Sequence, residues 1–290
     1  VPASLSSGWT DRTAVRFCAV SVFLPGYRWQ TVEMCYLCAE RLTESFMDDW
    51  KRGWMELADM VWPRKCGVCG MSLHAGERYV CGSCLADMPL TYFWSWRGNP
   101  AERMLWVRTY LQGVVPLFYY SNDNDYRKLL HLVKYGGDTA LGCRLGCMLG
   151  EKMREADYPV PDAIIPVPLH WLRRWRRGYN QAEVIALGVS EGLSGGQTPE
   201  IPVLTDILRR IRYSTSQTRM SIGSKWENVS GAFVLKDVKK AADRLNGLHV
   251  LLVDDVLTTG ATVEACWDAL RVIPGIKVSY ASIAFVSRPG

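Results

Sequence analysis

Apolar residues in this chain fall into short runs separated by helix-like stretches, most clearly from residue 115 onward. Val115–Tyr120 reads as a strand, and Asp125–Lys134 as a helix that gathers Leu129, Leu130 and Val133 on one face. Gly142–Ala156 again has helical spacing, Ala163-Ile164-Ile165-Pro166-Val167 is a short apolar strand, and Asn180–Leu193 is a helix. A polar stretch follows, then the strand His249–Val253, the helix Thr262–Arg271 and a last strand, Lys277–Val286. Short apolar runs alternating with helices imply a mostly parallel sheet covered on both faces. The expected fold class is therefore α/β, with no internal repeat or long low-complexity tract to disturb it.

The N-terminal part is different. Residues 1–60 show no clear period, mix tryptophans with charges and begin with Val, with Met55 and Met60 as later candidate starts. They read either as an extension outside the main fold or as upstream sequence ahead of an ambiguous start. Residues 61–98 hold a cysteine module, centred on Pro63–Met88 and followed by the loop Arg97-Gly98-Asn99-Pro100; residues 99–290 hold the α/β domain. At 290 residues the chain has room for one substantial core and a small appendage.

Phe17–Gly26 is too short to cross a bilayer. Arg12 and Arg16 ahead of it resemble the start of a signal peptide, but Ser21 and Pro25 break the run and no cleavage site follows. The expectation is a cytoplasmic protein with no membrane insertion. The formal charge of +5 is concentrated at Arg173–Arg177 and Arg209–Arg212, two local anion-attracting patches rather than a basic surface throughout.

The ten cysteines include three C-x-x-C pairs, Cys35/Cys38, Cys66/Cys69 and Cys81/Cys84. Cys66-x-x-Cys69 and Cys81-x-x-Cys84 stand close enough to supply four thiolates to one ion, which points to a structural Zn²⁺. A closed shell of four thiolates leaves no open position for catalysis. The other reading is four reduced cysteines or a redox pair. Cys35/Cys38 has no second pair of its own, and His74, between the knuckles, reads as a loop residue. Trp94, Trp96 and Trp106 are expected to pack this module onto the main domain.

Chemistry concentrates where Val250-Leu251-Leu252-Val253 gives way to Asp254-Asp255-Val256-Leu257-Thr258-Thr259-Gly260-Ala261-Thr262. A strand delivers the chain to the carboxyl edge of a sheet, where open α/β folds bind ligands. Gly260 lets backbone approach a phosphate, and the following amides open a helix whose positive end favours an anion. The threonines add hydroxyl donors, and carboxylates accept from sugar hydroxyls and help hold hydrated Mg²⁺. Consecutive strand residues point to opposite faces, so Asp254 and Asp255 share a ligand only if the chain has left the strand there. A bare Asp-Asp or Thr-Thr-Gly would read as an acidic strand end beside a capped helix. No Gly-Lys-Ser/Thr follows, so this is not a Walker loop.

This stretch resembles the phosphoribosyl pyrophosphate (PRPP) binding motif of type I phosphoribosyltransferases. Further segments are similar to the ComF family of competence-associated, phosphoribosyltransferase-like proteins. They are Lys134-Tyr135-Gly136-Gly137, Ile165-Pro166-Val167-Pro168-Leu169-His170, Arg177-Gly178-Tyr179-Asn180-Gln181-Ala182, Gln217 and Glu227-Asn228-Val229-Ser230-Gly231-Ala232-Phe233. With the cysteine module in front, the resemblance spans residues 60–290. It implies a type I phosphoribosyltransferase-like sheet, in which Asp254 and Asp255 hold the ribose hydroxyls and Thr258, Thr259, Gly260, Ala261 and Thr262 hold the 5′-phosphate. It places Arg173, Arg174, Arg176 and Arg177 near the diphosphate, at the turn after Val167, and makes Arg209–Asn228 a mobile loop; from its place at the sheet edge, the Trp171–Arg177 run itself reads as a diphosphate-facing loop with partly buried aromatics. Relatives often carry arginine where this chain has Lys225-Trp226. In the implied reaction diphosphate leaves ribose C1 as a nucleophile enters, with Mg²⁺ and arginines steadying the leaving group.

No residue is assigned as general base, His131 and His170 are given no role, and the acceptor stays open. The resemblance also implies a role in DNA uptake during natural transformation, beside helicase-like partners. Two other readings remain: a non-catalytic PRPP-sensing or interaction adaptor, and a single-stranded nucleic-acid-binding module using Trp171-Leu172-Arg173-Arg174-Trp175-Arg176-Arg177.

Overall fold

A computed structural model describes residues 64–74, 76–121, 124–196, 200–211 and 231–286, and the backbone of two further strands near the N-terminus. Val1–Arg64 and Lys65–Gly290 are separate compact units. In the first, β1 (Phe17–Val22) pairs antiparallel with β2 (Gln30–Cys35). Among the described residues no helix is long and apolar enough to cross a membrane.

The second unit begins with the cysteine segment and its short helix α1 (Gly82–Ala86), then α2 (Pro100–Leu105) and β3 (Val114–Tyr120). Next come α3 (Arg127–Tyr135), α4 (Thr139–Glu155), β4 (Ala163–Pro166), α5 (Trp171–Arg177) and α6 (Gln181–Ser194). The chain then runs through β5 (Leu208–Arg210), β6 (Phe233–Leu235), α7 (Val238–Leu245), β7 (His249–Leu257), α8 (Ala261–Leu270) and β8 (Lys277–Val286). The central sheet is parallel, in the order β3-β8-β7-β4, and β5 and β6 form a separate antiparallel pair. The architecture is the expected α/β one.

Both faces of the sheet are buried, which is why its strands are apolar runs. On one face Val115, Leu251, Val253 and Ala281 pack with α4 and α6; on the other Val114, Val250, Leu252 and Tyr280 pack with α2, α7 and α8. Near the carboxyl end this alternation slips. The ladders pair Phe118↔Ala284 and Val256↔Ala284 but pass over the row Leu117–Ile283–Asp255. Beyond that row Phe118, Ala284 and Val256 all turn to the α4/α6 side, where strict alternation would send them to the opposite face.

The helices α4 and α6 cross at backbone contact. A Cβ on Gly146, Gly150, Gly188 or Gly192 would lie 2.2, 2.4, 1.9 or 2.2 Å from a carbonyl oxygen of the facing helix, so only glycine permits the approach. This crossing fixes α6, whose first turn borders the site described below.

Several features differ from the sequence expectation, among them β5, β6 and α7, which lie in the stretch read as polar. The strand β7 runs through Leu257, not Val253, because β8 continues beside it to Val286. The segment after Val167 contains a helix, α5, on which Trp171 and Trp175 are 67% and 82% exposed rather than partly buried. Of the three tryptophans expected at the cysteine module, Trp94 shares its core cluster with Cys66, Val68 and Met88, while Trp96 and Trp106 are exposed.

Candidate ligand site and metal centre

The short strand β4 ends at Pro166, opposite Val253, and leaves the last four residues of β7 without a neighbour on that side. A cavity of about 740 Å³ opens there, bordered by Asp254, Asp255, Thr258, Thr262, Lys134 and Arg177. The two carboxylates do not leave the strand, contrary to the expectation for a shared ligand. Asp255 turns toward α3, where Lys134 Nζ lies 3.0 Å from its Oδ2. Asp254 turns toward the other side, where it interacts electrostatically with Cys266, Tyr280 and Arg210. Both border one cavity because the missing neighbour strand lets the space wrap around the strand end.

Burial, reinforced by the negative charge of Asp255, pushes the Asp254 carboxyl up to about 7; the Asp255 N–H, Lys134 and Arg210 act against the rise. The Asp255 N–H donates to Asp254 Oδ1 at 2.8 Å. The two carboxylates share the cavity wall with Arg127, Lys128, Lys134, Arg177 and Arg210, so the site as a whole carries an excess of positive charge, suited to an anionic ligand.

After Leu257 the chain turns at Thr258-Thr259-Gly260 and enters α8. Gly260 adopts φ 80°, a conformation that favours glycine, and a Cβ there would push the Leu105 side chain aside from 2.4 Å. Thr258 and Thr262 border the cavity. Thr259 serves the turn: its hydroxyl accepts from Ala261 N–H at 3.5 Å, and its carbonyl accepts from Arg108 at 3.4 Å. Gly260 and Ala261 are the N-cap and first residue of α8.

The arginine run divides. Arg177 borders the cavity, donates to Gln181 Oε1 at 2.9 Å and lies over the Tyr135 ring at 5.1 Å. Arg174 instead pairs with Glu183 at 3.1 Å. The side chains of Arg173 and Arg176 lie outside the described residues, as do Gln217, Lys225, Trp226 and the rest of the expected mobile loop beyond Ile211. His170 is buried and its Nδ1 accepts from Leu172 N–H at 3.4 Å, capping α5.

Lys134, Asn180, Gln181 and Arg210 also border the cavity and were given no role from sequence. Each sits in a segment that had been singled out, as family-like or as an arginine patch. What sequence lacked was their convergence on Asp254 and Asp255.

The cysteine centre is compact. The Sγ atoms of Cys66, Cys69, Cys81 and Cys84 lie within 4.8 Å of one another, and Cys69 and Cys81 are 3.8 Å apart. A tetrahedron with Zn–S bonds of about 2.3 Å has edges of roughly 3.8 Å. Backbone N–H groups of Cys81 and Val68 point at Cys66 Sγ from 3.3 and 3.5 Å. Burial alone would raise that thiol; the amides of Cys81, Cys69 and Val68 outweigh it and bring it down to about 6, toward the ligating thiolate. The set can bind a metal such as zinc. His74 is exposed and takes no part, and the side chains of Cys35 and Cys38 lie outside the described residues.

The cysteine segment is tied to the helix α3. Tyr126, just before that helix, donates to Cys84 O at 2.6 Å, and Lys128 Nζ donates to Val68 O at 2.9 Å.

Known proteins are similar to this chain in sequence. Residues 176–284 match the phosphoribosyl transferase domain family. Over 213 residues the chain is 30% identical to competence protein F of Haemophilus influenzae, an alignment covering 71% of this chain and 78% of that protein. It is 29% identical over 203 residues to the DNA utilization protein YhgH of Salmonella typhi, and 27% identical over 202 residues to YhgH of Escherichia coli. Each of these two alignments covers 68% of this chain and 74% of the relative. With its α/β sheet, its phosphoribosyl transferase match and a four-cysteine cluster ahead of them, the chain belongs to the ComF family.

Proposed function

We propose that this protein binds PRPP together with Mg²⁺ where β7 meets α8, and that it serves DNA uptake or utilisation. The observation that carries the reading is the meeting of Asp254, Asp255, Thr258 and Thr262 at one cavity that also receives Lys134 and Arg177. The carboxylates take the ribose hydroxyls, the turn takes the 5′-phosphate, and Arg177 faces the diphosphate. The donor set suits Mg²⁺: the two carboxylates at the cavity wall are hard oxygen groups. Asp254 and Asp255 would hold the ion, which when bound neutralises charge on the departing diphosphate. The remaining work falls to the chain: the carboxylates orient the sugar, and Arg177 offsets charge gathering on the leaving oxygens.

Calorimetric titration of PRPP in Mg²⁺ buffer tests the binding. Asp255→Asn removes a charged acceptor and is expected to weaken affinity about 10- to 100-fold. Undiminished affinity in that variant would refute the site. Diphosphate release measured against a panel of amines and nucleobases then separates an enzyme from an adaptor that binds without turnover. The DNA role rests on the names of the relatives. It predicts that this chain restores transformation in Haemophilus influenzae lacking competence protein F.

The exposure of Trp171 and Trp175 beside Arg174 supports a second reading, a stacking surface for single-stranded nucleic acid on α5. If it holds, Trp175→Ala weakens single-strand binding and leaves PRPP affinity unchanged.

A further inference from the structure

We infer that Lys134 is a binding residue that changes partner: Asp255 holds its ammonium before the ligand binds, and a phosphate oxygen takes it once the sugar and its cation occupy that carboxylate. The inference rests on the PRPP reading and adds to it an exchange within the site.

The position of the ammonium follows from α3. Arg127, His131, Lys134 and Tyr135 recur at helical spacing and form the side of α3 that borders the cavity. The helix under them is held. Leu129, Leu130 and Val133 are buried, Tyr126 and Lys128 bond to the cysteine segment, and the Tyr179 hydroxyl donates to Val133 O, one residue before Lys134. What can move is the lysine side chain, a compact charge on a flexible four-carbon stem.

That charge is under-used where it stands. Lys134 Nζ has three protons and lies 3.0 Å from Asp255 Oδ2, and among the described residues it has no second hydrogen-bond acceptor. The pair is open to a ligand, because the two side chains keep 26% and 18% of their surface exposed. Other cations of the cavity wall are committed elsewhere: Lys128 to Asp125 and Val68 O, Arg177 to Gln181 and the Tyr135 ring. Lys134 is paired with a carboxylate that the ligand itself needs.

Asp255 cannot serve both at once. A divalent ion on that carboxylate would stand within a few ångströms of the ammonium, and like charges so close repel strongly away from bulk water. The same ligand carries phosphate oxygens, which a lysine binds as a point charge. Exchange of partners removes the repulsion and keeps the ammonium compensated. Lys134 thus neutralises Asp255 beside a second carboxylate before binding, and offsets phosphate charge afterwards.

Two measurements test the exchange. In the wild-type protein, acetic anhydride labelling of Lys134, read by mass spectrometry, should rise when Mg²⁺ alone is added and fall when PRPP joins it. Labelling that neither addition changes marks a fixed ion pair and overturns the inference. The second measurement compares Lys134→Met with Lys134→Arg by calorimetry, using Mn²⁺ alone and then PRPP in Mg²⁺, with circular dichroism confirming the fold. Methionine drops the charge, whereas arginine keeps it but grips a carboxylate with a two-pronged fork. The methionine variant is expected to bind Mn²⁺ about tenfold more tightly than wild type and PRPP about tenfold more weakly. The arginine variant, still locked to Asp255, should bind Mn²⁺ no more tightly than wild type and PRPP as weakly as the methionine variant. Wild-type PRPP affinity in the arginine variant would mean that charge alone suffices, and would sink the exchange; so would Mn²⁺ affinity unmoved by methionine. If the wild type binds no PRPP in Mg²⁺, the site reading itself fails and takes this inference with it.

Discussion

Replacing Gly188 by alanine should destabilise the protein, although alanine is the better helix former. A Cβ at that position would stand 1.9 Å from Cys143 O and 2.8 Å from Cys143 C and Cys147 N, all backbone atoms that no rotamer change can move. Since real Cβ contacts do not close below 3.0 Å, the helices α4 and α6 must separate by about 1.1 Å. A gap of that size forfeits a quarter to a half or more of each dispersion contact along the crossing. Overpacking of this kind costs about 1–3 kcal/mol or more, against a propensity gain of about 1 kcal/mol. The difference, up to about 2 kcal/mol, lowers the melting temperature by as much as roughly 4–8 °C in a unit of this size. Gly142→Ala, on the facing helix α4, is the control. Its new methyl would meet only Val133 and Val184 side chains at 3.4 Å, so it should be neutral or raise the melting temperature by roughly 2–4 °C. Thermal unfolding followed by circular dichroism reads both variants. If Gly188→Ala melts as high as Gly142→Ala, the reasoning about this crossing is wrong.

Two further outcomes follow from the site. Purified protein should contain about one zinc per chain, and a strong chelator should lower its melting temperature, because a segment with so small a core depends on its metal for about 10 kcal/mol; metal-free protein with unchanged stability would refute the centre. Asp254 holds its proton up to about 7 in the folded state and releases it near 3.8 when unfolded, so its contribution to stability is complete below 3.8 and is lost as pH rises through about 7. Asp254→Asn should remove that slope and melt above wild type at pH 8; matching pH profiles would count against the burial of this carboxyl beside the charge of Asp255.

The strands Val114–Tyr120, Ala163–Pro166 and Lys277–Val286 were legible because burial on both faces writes a continuous apolar run. The last turn of β7 was not, since Asp254 and Asp255 look like the end of a strand; it persists through its pairing with β8, a long-range fact. The helix α5 was missed because its exposed tryptophans and arginines carry no apolar period. The cysteines were legible through spacing, and the carboxylate-threonine turn because its parts adjoin in sequence. Lys134, Asn180 and Arg210 come from three other segments, and only the fold shows what they approach.

The nine residues of α3 join two distant chemistries. One end is tethered to the thiolate knuckles through Tyr126 and Lys128, and the other carries the ammonium that holds Asp255. A helix of that length is a rod of about 13 Å. Whatever firms one anchorage limits the freedom of the other, so ion occupancy and sugar-phosphate affinity should be reciprocally linked. Stripping the ion ought to loosen the grip of a pocket it never touches.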